Sequence, residues 1–545
     1  MSKNKTLCVS EWQVFGVDDI CQVLKSCHTE RSEVFKNPNK DRDISLSTKA
    51  QYDKKAQNIF KELKNFADDK GNHIFLNSYG KNCLRARNYV GLIQTKSGFC
   101  LEILPKTFRT ANENDGFKIK DCICSSFDKN DETRQSDKVD SHTDKLAHNN
   151  NLKSQKCQVC KAKDLLLQML KTLKNSPFKQ SHISNLKTQN APLLESFVIM
   201  FLNELETLIK KGLKSDYIEC EQNRKFLKGK LLFTQNLKHN FAHKERFFTA
   251  SDEFSSDIAP NKLIKSTLLL LSTRPFSTKT NARIMQSRFV FDEISPSQNY
   301  DKDFAKCVNL RHFKAYELIL LWCKIFLKKQ TFTAYQGSQN AFALLFDMNK
   351  LFESFVAWHL KRYVAHEQCE YEVKTQDTGK HLLLENDKEN KFRIRPDIVG
   401  YKNNKTNFIA DTKWKILNFS RNDYGVSQSD LYQVFAYLSK YQCQNGILIY
   451  PKIDDENNDL QKLNEKVFKY KAELCFLDKE QSEKLKVNKE VIEKLKVNDI
   501  EKLLDEVNKV YKKQDITLRI YFFDLDKAQN SQIYPFEDLN SKIFA

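Results

Sequence analysis

Asp397 and Asp411, with Lys413 two residues beyond the second acid, are the side chains in this sequence whose types and spacing best suit chemistry. Asp397 sits in Phe392-Arg-Ile-Arg-Pro-Asp397-Ile-Val-Gly400, and the other two in Asn407-Phe-Ile-Ala-Asp411-Thr-Lys413-Trp-Lys415. Two carboxylates suit Mg2+, a hard cation that prefers oxygen ligands, and the backbone carbonyl of Thr412 can add another oxygen. A cation so held acidifies a bound water and neutralises charge developing on a phosphate. The ammonium of Lys413 would orient that water or stabilise the pentavalent transition state. The chemistry implied is metal-assisted hydrolysis of a phosphodiester.

Positioning these groups requires a β-hairpin. Apolar runs on either side of Lys402-Asn-Asn-Lys405 predict two strands joined by a tight turn. Residues i and i+2 of a strand face the same way, so Asp411 and Lys413 project together and Asp397 converges on them from the neighbouring strand. Upstream, residues 347–364 read as a helix with Leu351, Phe352, Phe355 and Val356 on its apolar side and Glu353 among them, placed to steer the metal. Downstream, Ser429-Asp-Leu-Tyr-Gln433-Val-Phe-Ala-Tyr437 reads as a helix with Gln433 and Tyr437 on one face, both neutral donors for a DNA backbone. Arg393 and Arg395 are either phosphate-facing or solvated strand residues.

Arg395-Pro-Asp397-Ile-Val, Asp411-Thr-Lys413-Trp-Lys415, Ser429 to Tyr437 and Leu448-Ile-Tyr-Pro451 resemble the McrC family, whose nuclease site is of the PD-(D/E)xK type. Leu101-Glu-Ile-Leu-Pro-Lys106, Phe226-Leu-Lys-Gly-Lys230 and Asp257 to Lys265 extend the likeness upstream. The resemblance implies the nuclease subunit of a 5-methylcytosine-dependent restriction system. Such a subunit joins a hexameric McrB-like AAA+ GTPase, stimulates its GTP hydrolysis through the N-terminal part and cuts double-stranded DNA after translocation. Base recognition and GTP use belong to the partner, in keeping with the absence of a G-x-x-x-x-G-K-[ST] phosphate loop from this sequence. Two other readings stay open: a stand-alone repair or recombination nuclease, and a non-catalytic GTPase-activating, DNA-binding scaffold.

Composition agrees with a polyanionic partner. There are 89 Lys and Arg against 70 Asp and Glu among 545 residues, a net charge of +19, which favours nucleic acid or an anionic surface through counterion release. No apolar run approaches the length of a membrane span, the first residues carry no export signal, and 15 cysteines fit free thiols in a reducing cytoplasm.

The expected fold is α+β and multidomain. Residues 1–108 form a β-rich N-terminal α+β domain with a helix at 52–66 and a hairpin over 88–105, whose Lys96-Ser97-Gly98 turn is a candidate motor contact. Residues 109–160 form a polar disordered insert; Cys122, Cys124, Cys157 and Cys160 are either a zinc site or unpaired thiols. Residues 161–330 form a helical middle domain in which basic residues from Arg224 to Arg246 alternate with Phe226, Phe233, Phe241, Phe247 and Phe248. Those aromatics either help grip DNA or lie in the core beneath a solvated basic face. Residues 331–545 form the restriction-endonuclease-like α/β domain, interrupted by a charged helical insert at 457–513 and closed by a strand at 516–523.

Overall fold

The computed structural model describes residues 6–32, 46–108, 158–174, 176–180, 192–307, 314–328, 341–367, 370–385, 389–417, 421, 423–452, 467–470, 516–529 and 536. They divide into two compact units, 1–347 and 348–545. Among them, no helix is long and apolar enough to cross a membrane.

The first unit begins with β1 (Thr6–Ser10), β2 (Val14–Gly16), α1 (Val17–Ser32) and α2 (Leu46–Asp68), followed by β3 (Leu76–Ser78), β4 (Cys83–Ala86), β5 (Tyr89–Thr95) and β6 (Cys100–Leu104). The hairpin expected over 88–105 is β5 and β6, antiparallel from Gly91 opposite Ile103 to Gln94 opposite Cys100. Ile59, Phe60, Leu63 and Phe66 of α2 are buried with Phe15, Ile20, Leu84, Ile93 and Leu101 in one core. The turn at Lys96 to Gly98 is tied back to α2, since the backbone N–H and hydroxyl of Ser97 both donate to Glu62.

After α3 (Gln158–Thr172) and α4 (Leu193–Lys210), Gly212 takes a positive φ of 87°, as a glycine just past a helix end should. The middle region, expected to be mostly helical, also holds a sheet. β7 (Asp216–Arg224), β8 (Lys230–Leu231) and β9 (Phe247–Ser255) form a three-stranded sheet in the order β7-β9-β8, with α5 (Phe233–Asn240) inserted. Phe226, Phe233 and Phe241 are exposed, Phe241 to 84%, so these three aromatics are not core residues. The burial pattern of β7 is mostly exposed, which leaves no apolar period to announce a strand. Helices resume with α6 (Ala259–Ser272), α7 (Thr278–Val290), α8 (Tyr300–Cys307) and α9 (Glu317–Lys328). β10 (Ala341–Asp347), expected within the C-terminal domain, pairs antiparallel with β5 in a sheet ordered β1-β6-β5-β10. Of the four candidate zinc cysteines only Cys160 lies within the described residues, buried on α3.

The second unit runs α10 (Met348–His366), β11 (Glu372–Thr375), β12 (His381–Glu385), β13 (Glu389–Arg393), β14 (Ile398–Lys402), β15 (Lys405–Thr412), α11 (Gln428–Tyr441), β16 (Asn445–Pro451), β17 (Val467–Tyr470), β18 (Ile516–Phe523) and α12 (Leu525–Gln529). Six strands form one mixed sheet in the order β11-β14-β15-β16-β18-β17. Val434, Tyr437, Leu438 and Tyr441 of α11 share a core with Val399, Ile409, Leu448, Ile520 and Phe522 of the sheet. Phe352 and Phe355 of α10 pack edge-on against Phe523, which follows Phe522 on β18 and so faces the opposite way. The helices therefore cover the two faces of the sheet.

Two expectations need correction here. The segment Phe392 to Gly400 is not one strand: it breaks at Ile394-Arg395-Pro396, leaving β13 paired with β12 and β14 paired with β15. Pro396 has no N–H for a ladder and restricts Arg395, which accounts for the break. Within the span read as a charged helical insert, Val467–Tyr470 is a strand antiparallel to β18, which makes β18 an interior strand. The remainder of that span, including the repeated Glu-Lys-Leu-Lys-Val-Asn, lies outside the described residues.

Candidate active site

β15 lies inside the sheet, antiparallel to β14 and parallel to β16, so its backbone is fixed from both sides. The turn feeding it places Asn403 and Asn404 at φ of 51° and 61°, left-handed conformations that asparagine tolerates and that match the twist of a two-residue hairpin. Phe408, Ile409 and Ala410 are buried and Asp411 is only 1% exposed. A carboxylate placed so deep needs a paired charge or a coordinated ion to stay ionised.

Its principal partner is Lys413, whose Nζ lies 2.6 Å from Oδ2 of Asp411. The same ammonium donates to Oε1 of Gln433 at 2.7 Å and lies 3.9 Å from Oδ1 of Asp430. Gln433 in turn donates to the hydroxyl of Tyr437 at 2.7 Å, and that hydroxyl donates to the carbonyl of Arg395 at 3.3 Å. The two α11 residues expected to meet DNA are thus bonded into the cluster, holding Lys413 and the chain just before Asp397.

Asp397 sits immediately before β14. Its backbone carbonyl accepts from the N–H of Gln376 at 2.9 Å, and its Oδ2 accepts from both the N–H and the hydroxyl of Thr412, each at 2.7 Å. Glu353 on α10 accepts a hydrogen bond from Nε2 of Gln376 at 2.6 Å, and the guanidinium of Arg395 donates to the other end of that amide. Gln376 has a φ of 52°, a conformation that costs a non-glycine residue energy. Nothing in the Gln376 segment pointed to this role, because its partners lie far along the chain. Asp430, within the Ser429 to Tyr437 run, is buried and holds Lys415 at 2.7 and 3.0 Å.

The electrostatics are those of a crowded acidic site. Burial, then the nearby Asp397 charge, pushes Glu353 up to about 7. Burial and Asp397 likewise push Asp411 up to about 6, against the pull of Lys413. Asp397 is raised by burial, although both Thr412 hydrogen bonds oppose the rise. Burial lowers Lys413, but Asp411 outweighs it and keeps the ammonium charged. Packed carboxylates that resist ionisation lack positive charge.

A divalent cation would supply it. Among the described residues no three His, Cys, Asp or Glu side chains come together as a ready metal cage. What the site offers is a carboxylate pair beside strand backbone, which suits Mg2+ because that ion usually keeps several waters and takes one or two carboxylates.

The chain is thus a mixed α/β protein of two units whose C-terminal sheet carries a buried carboxylate–lysine cluster. It belongs to the family described as McrBC 5-methylcytosine restriction system component, which matches residues 84–451, more than half of the sequence. Among solved structures, the chain is similar to the refined half-complex from a tetradecameric assembly of Thermococcus gammatolerans McrB AAA+ hexamers with bound McrC. That likeness has 16% identity and a TM-score of 0.48, covering 96% of this chain and 98% of that one. It is also similar to a chain of the cryo-EM structure of the Thermococcus gammatolerans McrBC complex, at 18% identity and a TM-score of 0.37, covering 66% of this chain and 88% of that one. No curated protein matches.

Proposed function

We propose that this chain is the DNA-cleaving subunit of a modification-dependent restriction system, a Mg2+-dependent endodeoxyribonuclease with a PD-(D/E)xK site, acting in the cytoplasm with an McrB-like AAA+ GTPase hexamer. The observation that carries the reading is Lys413 held between Asp411 and Gln433 beside Asp397, in a chain of the McrBC family.

Asp397, Asp411 and the carbonyl of Thr412 would hold the ion, which supplies an acidified water and charge neutralisation at the scissile phosphate. Lys413, oriented by Asp411 and Gln433, presents a fixed positive charge to the developing phosphorane. Thr412 holds the Asp397 carboxylate in one rotamer, and Gln376 fixes Glu353, which shapes the metal's surroundings from α10. Gln433 and Tyr437 fix Lys413 and the Arg395 backbone, and the half of this pair nearer the surface, Gln433, is the one placed to meet a DNA backbone.

Stimulation of the partner's GTP hydrolysis by the N-terminal part completes the reading, on the strength of family membership and a sequence without a phosphate loop. The test is cleavage of methylated plasmid by the purified chain, alone and with the partner GTPase, GTP and Mg2+. Cutting only in the complete mixture supports the proposal. Efficient cutting by the chain alone favours a free-standing nuclease, and no cutting in the complete mixture rules out the nuclease subunit.

A further inference from the structure

The small sheet β2-β4-β3 has two unlike faces. Phe15, Leu76, Leu84 and Ala86 point inward and belong to the N-terminal core. On the other face, Val14 and Asn77 lie opposite Arg85 from the two flanking strands. Two arginine–aromatic pairs stand along it. The guanidinium carbon of Arg85 is 4.0 Å from the ring centroid of Tyr79, and that of Arg87 is 5.2 Å from the ring of Trp12.

Both rings remain accessible, Tyr79 at 49% and Trp12 at 39%. Backbone bonds hold them in place. The N–H of Tyr79 donates to the carbonyl of Cys83, closing the β3–β4 turn, and the N–H of Ala86 donates to the carbonyl of Gln13, next to Trp12. Trp12 sits at a φ of 64°; a bulky residue in that conformation is strained, and the strain carries the indole out of the core into solvent.

Basic residues predominate in the segment that carries Tyr79, Arg85 and Arg87, while Glu11 is buried beside Trp12 and Asp18 and Asp19 are exposed just after β2. From Lys70 to Leu101 the sequence contains no Asp or Glu, while Lys70, Lys81, Arg85, Arg87 and Lys96 are all basic. The guanidinium of Arg85 rests on the Tyr79 ring with its Nε buried and without a hydrogen-bond partner. Accessible rings carrying guanidinium planes offer stacking for bases and donors for phosphates together. A duplex hides its base faces, so the matching form is an unpaired strand.

We propose that the outer face of β2-β4-β3 binds single-stranded nucleic acid, with Trp12 and Tyr79 stacking on unpaired bases and Arg85 and Arg87 contacting the strand's phosphates. This site belongs to the first unit and does not rest on the nuclease reading.

The test uses the full chain with EDTA present and a fluorescein-labelled oligothymidylate of about 15 nucleotides, within the footprint of such platforms, against a duplex of equal length. Trp12→Ala and Tyr79→Ala are each expected to weaken single-strand binding roughly 5- to 100-fold, with little change for the duplex. Arg85→Lys, which keeps the charge and loses the planar stack, should weaken it less. Oligothymidylate should quench tryptophan fluorescence in the wild type, and Trp12→Phe, which preserves the fold, should abolish the quench. Unchanged single-strand affinity in a natively folded Trp12→Ala/Tyr79→Ala double variant would overturn the proposal. So would a quench that survives Trp12→Phe, or a double variant that loses only its association with the GTPase, since the face would then be a protein-docking surface.

Discussion

Thr412 gives both its backbone N–H and its hydroxyl to the same carboxylate oxygen of Asp397, each at 2.7 Å. One residue of the central strand thereby fixes the acid that arrives from the strand beside it, and a single rotamer of Asp397 results. A hydrogen bond to a charged acceptor contributes about 1.5–3 kcal/mol. Thr412→Val keeps the branched shape that suits a strand and deletes only the hydroxyl, so cleavage in the partner-complete assay should fall by roughly ten-fold or more. Thr412→Ser should restore most of it, and circular dichroism should show both variants folded.

Gly400 lies on β14, where a Cβ would stand 2.1 Å from the Phe408 ring. That ring is itself buried in the same unit, so it must shift within packed surroundings. Gly400→Ala should therefore destabilise the second unit by about 1–3 kcal/mol, read as a lower midpoint in urea at unchanged slope. The double variant Gly400→Ala/Phe408→Leu should recover part of the loss.

His359 is buried on α10 against Phe355 and Phe523, and burial, with Arg362 adding to it, pulls its pKa down to about 3. The unfolded chain takes up this proton near 6.5 while the folded chain refuses it until about 3. Its contribution to stability is thus complete above about 6.5 and is lost as pH falls toward 3. His359→Phe removes that loss, so the stability of the variant relative to wild type should rise by about 1.4 kcal/mol for each pH unit below 6.5. Thermal melts of the two proteins across this range measure it. The raised acids Glu353 and Asp411 act with the opposite sign, but they are common to both proteins and cancel in the difference.

Much of this site is legible in the sequence alone. The hairpin turn at Asn403-Asn404, the helical periods of α10 and α11, and the two-residue spacing of Asp411 and Lys413 are local patterns, and local patterns survive in a sequence. Gln376 was illegible because its contacts, Glu353, Arg395 and Asp397, are brought together only by sheet pairing. Asp430 was in view, yet its grip on Lys415 depends on how α11 lies across β15. The break at Pro396 could have been anticipated from proline chemistry; the apolar residues on either side of it suggested a longer strand. The sheet β7-β9-β8 went unread for a different reason. Both faces of β7 are largely exposed, so no alternation of apolar and polar residues marks it.

If a divalent ion binds among the crowded Glu353, Asp397 and Asp411, it should stabilise the fold in a pH-dependent way. Without metal, an acid whose pKa is raised in the folded state contributes stability below its ordinary range and loses it as pH climbs through the folded value, about 6 for Asp411 and about 7 for Glu353. A cation that binds the ionised acids offsets this loss, so the rise in melting temperature on adding Mg2+ should grow between about pH 5.5 and about pH 8. Asp411→Asn should flatten that dependence.

If Asp411 and Lys413 act as one site with Asp397, substitution of Asp411 in the assembled system shows it most directly. With the partner GTPase, GTP, Mg2+ and methylated plasmid present, Asp411→Asn should abolish cleavage while GTP hydrolysis by the partner stays at the wild-type level. Cleavage by Asp411→Asn at the wild-type rate would exclude this cluster as the nuclease site and move the chemistry elsewhere.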